Sequence, residues 1–108
     1  MSETQDPWQI IELKNLIQSR PAQDVSFQEL LQVQSMHCGL YYLKKGSQDM
    51  QSPHDEDEIY YVIEGQAKIK VGDQERSVTP GTLLYIKAAE EHSFFEIEED
   101  MTLLVIFA

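Results

Sequence analysis

Gly46-Ser47-Gln48-Asp49-Met50-Gln51-Ser52-Pro53-His54-Asp55-Glu56-Asp57-Glu58 runs straight into Ile59-Tyr60-Tyr61-Val62-Ile63-Glu64-Gly65, and this stretch decides how the chain reads. A polar segment carrying an imidazole and several carboxylates gives way to a β-branched and aromatic run, which stops at a glycine. That pattern is a strand entered from a donor-rich turn. A second stretch is built the same way: Pro80-Gly81-Thr82-Leu83-Leu84-Tyr85-Ile86-Lys87-Ala88-Ala89-Glu90-Glu91-His92-Ser93-Phe94. Together the two supply two imidazoles and a carboxylate, each beside a β-rich run. That donor set can hold a divalent transition metal inside a barrel.

Outward from these stretches, strands and turns alternate. Residues 59–63 read as a strand. Residues 67–71 alternate apolar and basic, as a half-buried strand does, and Gly72-Asp73 turns the chain. Residues 76–79 are a short strand before the strong Pro80-Gly81 turn, and 83–86, 93–97 and 102–107 are further strands. Upstream, Leu40-Tyr41-Tyr42-Leu43 favours strand and Lys44-Lys45-Gly46 ends it, whereas 27–33 fits a helical turn or a strand equally. Turns at this spacing with few helices indicate a sandwich or barrel. At the N-terminus, Asp6 can cap a helix, Pro7 suits its first position, and Gln9 sits where a capping box wants an acceptor. Ile10, Leu13, Leu16 and Ile17 fall on one face and Pro21 closes the segment, so a helix over 8–17 is expected on the outside of the body or across a partner chain. The acidic run Glu96-Ile97-Glu98-Glu99-Asp100 reads as a solvated turn.

At 108 residues the chain is one domain, divisible into 1–34 (N-terminal helix and lead-in strand) and 35–108 (the barrel). Eight basic against 19 acidic residues give a net charge of −11, which repels phosphate backbones and anionic lipid. Nucleic-acid and membrane partners are therefore not expected. A lone Cys38 cannot form an internal disulfide and fits a reducing compartment as a small buried residue. No apolar run approaches the roughly 20 residues of a membrane span. The first residues carry no secretion signal, so a cytoplasmic location is expected.

His54 and Glu58 reach one ion only if the chain bends between them. On a straight strand they lie about 13 Å apart at roughly 3.3 Å per residue, whereas two ligands of one ion each sit about 2.0–2.2 Å from it. Asp55-Glu56-Asp57 is polar enough to be that bend, with His54 ending one strand and Glu58 beginning the next. His92 then arrives from a third strand. Two imidazoles and a carboxylate form the facial set of non-haem iron sites and also suit manganese, nickel or zinc. Three protein ligands leave positions open for water or substrate. The competing reading is two surface histidines beside an acidic loop. His37, between Met36 and Cys38, has no donor nearby in sequence and reads as structural or exposed.

These stretches resemble the two motifs of the cupin superfamily. The first pattern is a glycine, two histidines, a glutamate and a closing glycine; Gly46, Ser52, His54, Glu58 and Gly65 fall on those positions. The second is a glycine, a proline, a glycine, a histidine and an asparagine, where this chain has Gly81, Lys87, Ala89, His92 and Glu96. The resemblance covers residues 40–107. It implies an all-β double-stranded β-helix, or jelly-roll barrel, with a short N-terminal helix, and a homodimer. It also implies a metal held by His54, Glu58 and His92. Ser52 replaces the first histidine, and a hydroxyl is a poor transition-metal ligand, so weaker binding with water in that position is expected. Lys87 and Ala89 should change only the rigidity of their loop.

Strand alternation puts Glu96 on the face of His92 and Phe94, as an inward acid–base group, unless it already belongs to the acidic turn. Tyr60 shares the face of Glu58, where it either offers its hydroxyl to a substrate or fills the barrel with that hydroxyl at a polar rim. The family-level chemistry is dioxygenation or isomerisation of a small oxygenated molecule. The alternative is a non-catalytic module that binds a small molecule or metal. A structural metal with function on the acidic surface is a third reading, which open coordination disfavours.

Overall fold

Alternating apolar residues over five or more positions cannot all be buried unless a second sheet covers them, and two such sheets make up this chain. The computed structural model describes residues 7–18, 22–49 and 53–108. Within them lie one short helix, α1 (Leu13–Ile17), and eight strands: β1 (Val25–Gln32), β2 (His37–Leu43), β3 (Glu58–Glu64), β4 (Ala67–Val71), β5 (Gln74–Val78), β6 (Leu83–Ile86), β7 (His92–Phe95) and β8 (Met101–Phe107). The first sheet has the order β1-β2-β8-β3-β6 and the second β5-β4-β7. All the pairings are antiparallel. This is the double-stranded β-helix expected from the sequence. The ambiguous 27–33 segment resolves as strand, because β1 pairs along β2 from Val25 opposite Leu43.

The core lies between the sheets. Met101, Leu103, Val105 and Phe107 point inward from β8, Tyr60 and Val62 from β3, Ala67 and Ile69 from β4, and Phe94 from β7. Each of these side chains larger than that of Ala67 contributes about 1.5–3 kcal/mol on burial. Gly65 ends β3 with φ 98°, and a Cβ there would meet the Asp100 carbonyl oxygen at 2.5 Å. Only glycine permits that crossing of β3 and β8. The opposite face of β3 and β6 is largely apolar and open, with Asp57 beside Tyr85 at its edge. Tyr61 pairs with Leu83 and Ile59 with Tyr85, and Tyr61, Leu83 and Tyr85 are exposed.

Three sequence expectations need correction. The helix begins at Leu13, after Glu12, with no side-chain cap, and residues 7–12 are not helical. Trp8 and Ile10 stay exposed, so no burial offsets the cost of nucleating the earlier turns. Asp6 and Pro21 lie outside the described residues. Strand β7 ends at Phe95 because Glu96 adopts φ 47°. The alternation therefore breaks, Ile97 turns into the core, and Glu96 faces out to Lys68 at 3.4 Å. Cys38 is half-buried rather than buried. Burial first, and the charge of Glu29 second, raise its thiol pKa, so it stays protonated.

Candidate metal centre and cavity

Glu58 is the first residue of β3 and His92 the first of β7, so the two sheets deliver them to the same end of the barrel. Glu58 is 2% exposed and His92 8%. His92 Nε2 stands 3.0 Å from Glu58 Oε1 and 3.1 Å from the Tyr60 hydroxyl. Its Nδ1 lies 2.9 Å from the Glu90 carbonyl oxygen. A carbonyl only accepts, so Nδ1 carries the proton and Nε2 of the neutral ring is a lone pair. The Tyr60 hydroxyl then donates to Nε2, and Glu58 Oε1 is left facing a lone pair. Glu58 Oε2 is buried with no hydrogen-bond partner among the described residues. Either a proton on Nε2 or a cation between the groups relieves this arrangement. Burial lowers the His92 pKa, but the hydrogen bonds to Glu58 and Glu90 and the charges of Glu58 and Asp49 outweigh it, so the net shift is upward.

His54 sits in the loop before β3, and no strand ends there, contrary to the sequence expectation. The polar loop at 55–57 makes the required bend. Backbone hydrogen bonds pin His54: the Ala89 N–H donates to the His54 carbonyl at 2.6 Å, and the Ala88 N–H donates to Asp57 Oδ1 at 2.8 Å. Ala89 adopts φ 69°. The loop therefore needs a left-handed residue at the family's glycine position, and the alanine does more than alter rigidity.

The rings of His54 and His92 are 6.5 Å apart, centre to centre. Two imidazoles sharing one ion at about 2.0–2.1 Å per bond bring their centres to roughly 5 Å. The structure thus brings Glu58 and His92 together and leaves His54 about an ångström wide. Among the described residues no three His, Cys, Asp or Glu side chains stand close enough to hold a metal ion. Ser52 lies outside the described residues. The Glu58–His92 pair, with its orphaned buried oxygen, fits a cation; the complete set of three is not assembled.

Beside this pair is a cavity of about 330 Å³. Phe27, Val105, Phe107 and Tyr41 form most of its wall, and His37, His54 and Tyr60 complete it. Glu58 and His92 do not line it and reach it through Tyr60. Two residues that sequence reasoning did not place at the site matter here. His37 lies on the cavity wall, stacked on Phe107 at 4.6 Å and 2.9 Å from Glu56. Its carboxylate partner is distant in sequence, so no local pattern could reveal it. Asp49, missed altogether, is buried, accepts from the Tyr41 hydroxyl and takes the Phe94 N–H at 2.8 Å. Burial first, then Asp49 and Glu58, push the Tyr41 pKa up, so its hydroxyl keeps its proton. Of the two acid–base candidates, Tyr60 is at the site and Glu96 is not.

Relatives share this architecture. The family profile described as Cupin domain matches residues 39–107. An uncharacterized protein of Streptomyces coelicolor, SCO3923, is 38% identical over 96 residues, covering 89% of this chain and 91% of its own. The crystal structure of TT1209 from Thermus thermophilus superposes with a TM-score of 0.76 at 28% identity, over 92% of this chain and 95% of that one. A cupin superfamily protein of Desulfitobacterium hafniense shares the fold, with a TM-score of 0.74 at 23% identity over 92% and 89% of the two chains. Barrel topology, both motif positions and the profile match agree: this chain belongs to the cupin family.

Proposed function

We propose that this chain binds a small molecule in its barrel cavity, beside a divalent transition metal (iron, manganese, nickel or zinc) held by His54, Glu58 and His92. One observation carries the proposal: Glu58 is a buried carboxylate with one oxygen against a histidine nitrogen and the other without a partner among the described residues. Leaving such an oxygen unsatisfied costs about 1–3 kcal/mol or more, and a cation offsets that cost. His54, about an ångström wide of the pair, would complete the set from the cavity side by moving inward. A bound metal supplies Lewis acidity toward an oxygen of the ligand. Tyr60, whose hydroxyl would be released from His92 Nε2 when that nitrogen takes a metal, is a cavity-wall group able to give or take a proton. The reaction classes that suit this arrangement are dioxygenation and isomerisation.

A second reading, a binding module without turnover, is favoured by the almost wholly carbon wall of the cavity. Metal analysis of the purified protein, with oxygen uptake in the presence of a phenolic or thiol compound, separates the two. Iron with uptake supports catalysis, and zinc without turnover supports binding. His92→Ala is expected to abolish metal retention, and unchanged metal content in that variant would remove the metal site.

We also propose a homodimer. The exposed Tyr61, Leu83 and Tyr85 form an apolar patch, and a second copy of that patch covers it, carbon against carbon. Light scattering should give twice the chain mass, falling to a monomer in Leu83→Asp. A monomeric parent chain would end this reading.

A further inference from the structure

The cavity wall consists of rings and branched carbon, and the polar groups that border it are occupied elsewhere. Tyr41 gives its hydroxyl to Asp49. Tyr60 bonds His92, and His37 bonds Glu56. His54 is the one polar lining residue, among those described, whose side chain makes no hydrogen bond. Among the described residues, a molecule in the metal-free cavity therefore meets one free polar position, His54, and carbon everywhere else; a metal on His54 and His92 would take that position and release the Tyr60 hydroxyl at the same end.

Phe107 is the hub of the wall. His37 stacks on it at 17°, His54 meets it edge-on at 4.9 Å between centres, and Phe27 does so at 6.3 Å. Gly39 leaves room for this cluster: a Cβ there would run into both the Phe27 ring and the Gln28 carbonyl oxygen. Held by three neighbours, the Phe107 ring is an aromatic surface set before any ligand arrives.

Charge narrows the choice further. No lysine or arginine lines the cavity among the described residues. The carboxylates of Glu58 and Asp49 are buried next to it, and a divalent cation would at most cancel those two charges. An anionic ligand finds no surplus positive charge to offset its desolvation. A sugar would bring several hydroxyls against carbon, each losing its water without a replacement.

We infer that the cavity takes an uncharged ring compound bearing a single hydroxyl-type group, which it directs toward the end bordered by His54 and Tyr60, and that it rejects sugars and carboxylates. This rests on the small-molecule reading above and names its ligand class. The volume, at the low end of the roughly 300–1,000 Å³ usual for ligand pockets, suits one or two fused rings.

The test is calorimetric titration of the full chain with phenol, benzoate and glucose, with metal content assayed on the same samples. Phenol is expected to bind at least tenfold more tightly than benzoate or glucose. Phe27→Ala, at the partly exposed mouth, should weaken phenol about threefold to tenfold, the scale of one lost aromatic contact, with metal content unchanged. Phe27→Leu provides the same readout should the alanine variant unfold. Phenol that fails to bind, benzoate or glucose that binds as tightly, or Phe27 variants that bind phenol as the parent does would each overturn the inference. A metal-free protein that still prefers phenol removes the metal site alone. A metal-loaded protein that prefers benzoate removes this inference alone.

Discussion

At the inner end of the cavity, Tyr60 and the Glu58–His92 pair behind it are buried and joined by polar contacts of 3.0 and 3.1 Å. At the mouth, His37 and Glu56 form a single 2.9 Å pair that is part-exposed, and the Phe27 and His54 side chains meet Phe107 through ring contacts. The inner end sits between the two sheets, where an unpaired polar atom is costly and each group is fixed by others. The mouth borders solvent, where water substitutes for a lost partner and little energy depends on any one residue. The inner end is thus suited to hold a charge in place, and the mouth to adapt its shape.

This contrast predicts a hierarchy of effects. Phe94→Ala strikes the inner end, since Phe94 packs edge-on against Tyr60 at 5.1 Å and is 2% exposed. It should cost about 3–5 kcal/mol in urea unfolding, and a loss below about 1 kcal/mol would mean that this end is not a packed unit.

Ala89→Gly should stabilise the fold by about 1–2 kcal/mol, because it removes a left-handed strain no alanine favours. A lower melting temperature in that variant would show that the loop under His54 gains rigidity from the alanine.

Protonation of His92 separates the two ends by pH. In metal-free protein its folded-state pKa lies above the ordinary 6.5. The stability it contributes is complete below about pH 6.5 and is lost as the pH rises through the folded value. Metal-free protein should therefore melt at lower temperature on the alkaline side, and Glu58→Gln should flatten that slope. An unchanged slope in the variant would mean that Glu58 does not hold the proton.

The smallest effect belongs to the mouth. His37→Ala removes a part-exposed ion pair and should change stability by less than about 1 kcal/mol. A larger loss, read by thermal melting, would make mouth and interior energetically alike.

The inner end was legible in the sequence because its residues announce themselves locally. Glu58 and Tyr60 share a parity on one strand, and His92 follows a glycine turn at the family position. The strands of 67–71 and 83–86 were read to the residue for the same reason. What escaped depends on chain-distant partners. The His37–Glu56 contact spans 19 residues and the Asp49–Phe94 contact 45, and periodicity within one strand carries no information about either. The N-terminal helix was overread because capping residues favour a helix only when its apolar face finds something to cover. Glu96 was open between two readings because parity holds only while the backbone stays extended, and a single left-handed residue ends it.

One pairing has a practical consequence. Ala108 and Asp57 exchange both backbone hydrogen bonds, each at 3.0 Å. Residue 108 is therefore moored to the loop that carries His54. A polyhistidine purification handle fused after it would be delivered to the lip of the barrel, where its imidazoles would compete for any ion supplied. Metal stoichiometry should be measured on protein tagged at the other end, or with the handle cleaved.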